Sequence, residues 1–252
     1  MFRVEDRNRV RDHVLDRAKT DARVVAGAVV GSLATSEGDR WSDLDLTFGV
    51  ADGAALPEVL DDFTVDLGRE FNATHLFDLS SGAAIYRVFL LPGCLQLDLS
   101  FAPASQWGAL GPEFRLLFGQ AAQVAQGQPP PARELLGYAV HHALRARFCM
   151  ERGRYWQAEY WVSAVRDYAL SLACRRRGLP AHHGRGIDDL PEDVREICVG
   201  ALPRSLDREE LRRSLSCAID LLLGETEEVR ELAERVRPQL LQIAEVASAD
   251  ED

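Results

Sequence analysis

Residues 29–46 read VVGSLATSEGDRWSDLDL, and this stretch decides how the N-terminal part of the chain folds. The step Gly31-Ser32 ends one apolar run, and the alternating Asp43-Leu44-Asp45-Leu46 begins the next. Because successive side chains of a strand point to opposite faces, the two aspartates would share a face, about 7 Å apart. Two carboxylates without a basic neighbour repel each other, which favours a cation between them. The stretch therefore predicts a divalent-metal site beside a phosphate-binding turn.

The residues on either side of this stretch predict a mixture of helices and strands. Apolar residues at helical spacing indicate helices over 4–20 and 56–71. Runs of small and β-branched residues indicate strands over 23–30 and 43–50, and a short strand over 73–79 follows. Further along the chain, the sequence predicts a hairpin of strands 84–91 and 95–101 and a helix-compatible pattern over 113–125.

The second strand of the predicted hairpin carries a third carboxylate. Its alternation is strict: Leu95, Leu97, Leu99 and Phe101 share one face, and Asp98 lies on the other. Asp98 is thus presented on a polar face, as a further metal ligand would need to be.

The character of the chain changes after Pro103. Helices are predicted near 133–152, 155–177, 190–200, 207–223 and 225–247, and the stiff run QGQPPP at 126–131 marks a break between domains. We predict an α+β fold. An N-terminal domain over 1–104, a mixed sheet with flanking helices, is joined to a C-terminal α-helical bundle over 105–252, which completes the active-site cleft.

Composition excludes several classes of function. The net charge of −11 argues against binding of bulk nucleic acid or of an anionic membrane. No apolar run approaches the roughly 20 residues of a membrane span, and the charged N-terminus does not read as a signal peptide. The five cysteines are scattered, which fits a reducing cytoplasm.

Charge is unevenly distributed, and residues 133–186 contain ten arginines but four acidic residues. Within the predicted helix that starts at residue 155, Glu159, Ser163 and Arg166 form a polar stripe. One hypothesis is that Arg166 contacts a triphosphate and that Glu159 assists the acceptor; the alternative is an internal ion pair or a solvated face. Trp41 either stacks on a ligand ring or shields its loop.

These motifs together resemble the nucleotidyltransferase superfamily with a polymerase-beta-like fold. Its pattern is an apolar residue before Gly-Gly or Gly-Ser, a gap of 9–13 residues, Asp-x-Asp between apolar residues, and a later acidic residue on a strand. The matching residues are Val29-Val30-Gly31-Ser32, Ser42-Asp43-Leu44-Asp45-Leu46 and Leu97-Asp98-Leu99. The Gly-Ser step, the serine before the first aspartate and the helical C-terminal half look most like antibiotic nucleotidyltransferases that modify aminoglycosides or lincosamides. The resemblance covers residues 20–102 by motif and residues 105–252 by architecture only.

The resemblance implies transfer of a nucleoside monophosphate, usually AMP from ATP, to an acceptor hydroxyl. Gly31 and Ser32, with Ser42 beside them, would hold the phosphates. Asp43 and Asp45 would bind Mg²⁺ in a two-metal site. Asp98 would be a third metal ligand or the base that takes the acceptor proton, and the sequence does not separate these two roles.

The function expected from the sequence is Mg²⁺-dependent nucleotidyl transfer from ATP or another nucleoside triphosphate to a small hydroxylated molecule. An aminoglycoside-type antibiotic is a candidate acceptor, which would make the protein a resistance enzyme. The alternatives are a protein-AMPylating enzyme like the antitoxin relatives and a noncatalytic nucleotide-binding module. Either a monomer or a homodimer is expected, without a membrane partner.

Overall fold

A six-stranded mixed sheet organises the first part of the chain. Its strands are β1 Val24–Val30, β2 Leu44–Val50, β3 Thr74–Ser81, β4 Ala84–Leu91, β5 Leu95–Pro103 and β6 Phe114–Phe118. Their order in the sheet is β3-β4-β5-β2-β1-β6. Neighbouring strands are antiparallel, except that β2 and β5 run parallel. The computed structural model describes residues 1–35, 38–125 and 130–244. It divides the chain into the units Met1–Gly127 and Gln128–Asp252.

Helices α1 (Val4–Thr20) and α2 (Leu56–Phe71) belong to the same hydrophobic core as one face of this sheet. The alternate residues of β2 and β5 point into that core, where they meet the apolar stripes of both helices. Because one face is buried in this way, the intervening residues of β2 and β5 project from the opposite face. The largest fully buried side chains of this unit are Phe48, Phe63, Phe89, Phe101, Leu44, Leu46, Leu60, Leu67, Leu95, Leu97 and Leu99.

A buried arginine ties the β3–β4 hairpin to α2. Arg87 on β4 is 8% exposed and donates to both carboxylate oxygens of Asp78 on β3, at 2.8 Å each. It also donates to Asp61 Oδ1 and to the Thr64 hydroxyl on α2. The Arg87 guanidinium holds the pKa of Asp78 below its usual range. Because each charge is paired, burying the arginine does not leave an uncompensated cation.

The second unit is helical. Its helices are α3 Ala132–Glu151, α4 Tyr155–Arg176, α5 Glu192–Gly200, α6 Arg208–Gly224 and α7 Arg230–Ala244. Helix α4 packs against both α3 and α6, and α6 also packs against α5 and α7. Small side chains such as Ala139, Ala143 and Ala169 are fully buried at these contacts and let the helices approach closely.

The predicted α+β class is confirmed, with a mixed sheet, flanking helices and a helical C-terminal part. The helix-compatible interpretation of residues 113–125 is wrong, because Phe114–Phe118 is strand β6 and pairs antiparallel with β1. The first unit therefore extends beyond residue 104, to Gly127. Of the break predicted at 126–131, residues 126–129 lie outside the described part of the chain.

Candidate active site

Three carboxylates converge on the sheet face opposite α1 and α2. Asp45 and Asp98 are direct partners in the parallel pairing of β2 with β5, and Asp43 lies one residue before β2. One carboxylate oxygen from each of the three lies within 4.8 Å of the others, and all three residues are half-buried. The structure thus brings Asp98 to two aspartates that precede it by more than 50 residues in the sequence.

The position of these carboxylates follows from alternation along the two strands. Leu44 and Leu46 on β2 and Leu97 and Leu99 on β5 are buried, at 1% exposure or less. Because they occupy the core face, Asp45 and Asp98 must lie on the other face. Parallel, in-register pairing of β2 with β5 then aligns the two carboxylates side by side.

The electrostatics of the cluster favour a bound cation. Burial raises the pKa of Asp98, the negative charge of Asp43 raises it further, and the Gln96 amide opposes both. Gln96 Nε2 donates to the two Asp98 oxygens at 3.0 and 3.2 Å, which orients that carboxylate. Clustered, half-buried anionic oxygens are the donor set that Mg²⁺ prefers, so the residues present fit a divalent metal.

Gly31 borders the cluster, and the structure explains why glycine stands there. Its φ is +68°, and a Cβ on this residue would lie 2.5 Å from Asp45 Oδ2. Glycine at this position therefore leaves room for the carboxylate of Asp45, a candidate metal ligand. Its N–H donates to the Glu113 carbonyl at 3.2 Å. The predicted binding of phosphate at Gly31 stays a prediction, whereas the structure shows that this glycine admits the Asp45 carboxylate.

A short hydrogen-bonded chain joins the Gly31 turn to the loop before Asp43. The turn Gly31–Ala34 is 3-10 helical, and the Ser32 hydroxyl donates to the Ser42 hydroxyl at 2.9 Å. Ser42 Oγ in turn accepts from the Asp39 N–H at 3.0 Å. The two predicted phosphate-binding serines therefore lie side by side, ten residues apart in the sequence.

Asp39 and Arg7 hold this loop in place, and sequence reasoning missed both. Asp39 Oδ1 accepts from the N–H groups of Trp41 and Ser42, at 2.7 and 2.9 Å. From α1, Arg7 Nη1 donates to the Asp39 and Ser42 carbonyls, at 2.8 and 2.6 Å. Burial lowers the pKa of Arg7 from its ordinary value, which the negative charge of Asp39 opposes. The sequence did contain a signal for Arg7. This arginine lies at helical spacing from Val10, Val14 and Ala18, the buried stripe of α1, where a charged residue needs a partner.

Replacing Arg7 with methionine is expected to weaken metal binding and to destabilise the N-terminal unit. Two hydrogen bonds from a charged donor are lost, which costs about 2 kcal/mol, and the loop carrying Asp43 is released. Thermal unfolding in a MgCl₂ titration measures both effects. Lys19→Met, at an exposed position of the same helix, is the control and should leave both unchanged. Unaltered Mg²⁺ dependence in Arg7→Met would show that the loop is held without Arg7.

Trp41 is exposed and precedes Asp43 by two residues in the chain. The residue is 58% exposed, and the Arg40 guanidinium lies 4.0 Å from the centroid of its ring. The arginine covers one face of the ring. Stacking of a ligand on the indole therefore stays a prediction.

The polar stripe of α4 lies in the C-terminal unit. Ser163 Oγ donates to Glu159 Oε1 at 2.7 Å. Arg166 Nε and Nη2 both donate to the Asp167 carboxylate, at 3.0 and 2.8 Å. Arg166 thus pairs with its neighbour Asp167 rather than with Glu159, and the roles of Glu159 and Arg166 toward acceptor and nucleotide stay predictions.

Within the described residues, none of the helices has the length and apolar character that a membrane span requires.

No family model matches the chain, and no curated protein matches it. An aminoglycoside 6-adenyltransferase from Bacillus subtilis is 12% identical, with 92% of this chain and 96% of that chain covered and a TM-score of 0.37. The nucleotidyltransferase toxin MenT4 from Mycobacterium tuberculosis H37Rv is 17% identical, with coverages of 93% and 91% and a TM-score of 0.21. Both TM-scores lie below 0.5, so a functional conclusion has to rest on the carboxylates and their surroundings.

Proposed function

We propose that this protein is a divalent-metal-dependent nucleotidyltransferase that moves a nucleoside monophosphate, AMP from ATP in the first instance, to a hydroxyl of a small molecule. The observation that carries the proposal is the convergence of Asp43, Asp45 and Asp98 within 4.8 Å on one sheet face. Three carboxylates on rigid elements are the arrangement that two-metal phosphoryl chemistry requires.

The reaction is an in-line displacement at the α-phosphorus. The acceptor oxygen forms a bond to phosphorus, the bond to the bridging oxygen breaks, and pyrophosphate leaves. Asp43 and Asp45 would hold Mg²⁺, which when bound neutralises charge on the attacking and leaving oxygens. The Ser32 and Ser42 hydroxyls, which are hydrogen-bonded to each other, would have to turn from that bond to donate to phosphate oxygens.

We assign to Asp98 the role of the base that takes the proton of the acceptor hydroxyl. Burial raises the pKa of its carboxyl group, which makes the carboxylate a better proton acceptor than an exposed aspartate. Gln96 fixes its orientation through both oxygens. Asp98→Asn separates this role from metal ligation: loss of transfer with an unchanged Mg²⁺-induced rise in Tm supports a base, and loss of both supports a third ligand.

We propose that the acceptor is cationic. An aminoglycoside-type antibiotic, which carries positive charge, is then a candidate acceptor. Residues 1–104 contain 17 acidic and ten basic residues, so the unit that carries the carboxylates is strongly acidic. An acidic surface raises the local concentration of a cationic substrate.

A screen of pyrophosphate release tests the proposal. ATP, GTP, CTP and UTP are each combined with Mg²⁺ and a panel of hydroxylated antibiotics, cationic and neutral. Release that requires both acceptor and metal, with an adduct heavier by one nucleoside monophosphate, is the expected result. Nucleotide binding without release for every acceptor would instead support a noncatalytic nucleotide-binding module.

A further inference from the structure

Three hydroxyl groups lie in one row across the sheet, beside the carboxylates. Thr47 on β2 is the register partner of Ser100 on β5, and Ser100 is the register partner of Tyr86 on β4. Thr47 follows Asp45 by two residues, and Ser100 follows Asp98 by two, so the row shares the face of the carboxylates. We call Thr47, Ser100 and Tyr86 the hydroxyl row. It lies about 7 Å further along the strands than Asp45 and Asp98.

Two hydroxyls of this row have no partner in the described ranges 1–35, 38–125 and 130–244. Thr47 Oγ1 accepts from Trp107 Nε1 at 2.9 Å, whereas the hydroxyls of Ser100 and Tyr86 make no hydrogen bond to another described residue. Ser100 is nevertheless 5% exposed, and polar groups buried to this degree are normally hydrogen-bonded. Burial raises the pKa of Tyr86, so its phenol keeps its proton and can both donate and accept. Both groups are available to a ligand.

Trp107 forms an apolar wall at one end of the row. It is 2% exposed, and a Cβ on Gly49, the next residue of β2 on this face, would lie 3.2 Å from the Trp107 ring. The ring belongs to a small apolar cluster with Ala26, Ala28 and Ala102. A few placed polar groups beside apolar side chains are the usual composition of a small-molecule site.

The in-line geometry of the proposed transfer puts the acceptor on the side of this row. Ser42 lies two residues before β2, and Ser32 is hydrogen-bonded to it, whereas Thr47 lies three residues beyond the start of β2. The carboxylates therefore separate the two serines from the hydroxyl row. Attacking and leaving oxygens lie on opposite sides of the phosphorus. Because the proposed function places the leaving pyrophosphate at the serines, the acceptor approaches from the hydroxyl row.

We propose that the hydroxyl row is the acceptor subsite, where Ser100 and Tyr86 hydrogen-bond a polyhydroxylated acceptor while another of its hydroxyls reaches the carboxylates. The inference rests on the proposed function, which sets the side of approach. Neighbouring strands lie about 4.8 Å apart, so the three hydroxyls span about 10 Å. This width suits a ring compound with several hydroxyl or amino groups. A simple alcohol would leave the row unpaired and is selected against.

Isothermal titration calorimetry tests the subsite by binding alone. Three polyhydroxylated probes, kanamycin, streptomycin and lincomycin, are titrated in the presence of Mg²⁺ and a nonhydrolysable ATP analogue. Tyr86→Phe and Ser100→Ala each remove one hydroxyl and should weaken the probe that binds the wild type best by about fivefold. Affinity for the ATP analogue and the rise in Tm that Mg²⁺ induces should not change. Ser80→Ala, at an exposed position on the opposite face of the sheet, is the matched control and should bind like the wild type.

Pyrophosphate release by the same proteins separates the subsite from the transfer. Weaker probe binding in both variants, without release by the wild type, supports the subsite and refutes the transfer. Wild-type affinity in either variant overturns the subsite, and release that continues in that variant leaves the transfer standing. Absence of binding of all three probes to the wild type also overturns the subsite.

Discussion

Asp43→Asn and Asp45→Asn are each expected to reduce Mg²⁺-dependent pyrophosphate release by about 1,000-fold. Asparagine keeps the shape of the side chain but removes one of three clustered negative charges. The metal is then held more weakly, and the charge that develops on the transferred phosphate is poorly balanced. The measurement is steady-state pyrophosphate release with the nucleotide and acceptor that the wild-type protein prefers.

Asp43→Asn should become more stable in the absence of metal, because the charge of Asp43 opposes ionisation of Asp98. Three carboxylates within 4.8 Å repel one another, and removing one charge relieves about 1 kcal/mol of that repulsion. Tm without Mg²⁺ should therefore rise, while the rise in Tm that Mg²⁺ induces should be lost. Asp16→Asn, at an exposed position on α1, is the control and should change neither quantity. Full transfer activity in Asp43→Asn would refute the proposed mechanism.

Gly31→Ala is expected to lower both stability and transfer. The left-handed backbone at φ +68° costs alanine about 1–2 kcal/mol. In addition, the new Cβ would lie 2.5 Å from Asp45 Oδ2, so that the carboxylate must move. We expect a total loss of about 2–3 kcal/mol in the free energy of unfolding. We also expect transfer to fall by about 100-fold, since a small misplacement of a reacting group is costly.

Gly82→Ala separates the two causes. Gly82 also has a positive φ, +59°, but a Cβ there would meet nothing within 4 Å. Its cost should be the backbone strain alone, about 1–2 kcal/mol, without an effect on transfer. Urea unfolding and pyrophosphate release on both variants measure the difference. Equal transfer by the two variants would show that the contact between Gly31 and Asp45 does not position the site.

Local patterns were sufficient to predict most elements of the N-terminal unit. The hairpin of β4 and β5 was predicted to within two residues, because its alternation is strict and the turn at Pro92-Gly93 is a strong signal. The same alternation placed Asp98 on the polar face. Strand β6 was missed because its five residues form a strand only by pairing with the edge of β1.

The sequence alone determined which residues share a face of a strand. Successive side chains of a strand point to opposite faces, and the sequences of β2 and β5 each show this alternation without reference to the rest of the chain. It therefore indicated three carboxylates on polar faces and a glycine-serine turn beside them. Only the tertiary structure decided that β2 and β5 run parallel and in register, which brings Asp45 beside Asp98. It also placed Arg7 under the loop before Asp43 and Asp45 against Gly31. These contacts join segments far apart in the chain, and their free energy depends on the packing of the whole sheet rather than on any local pattern.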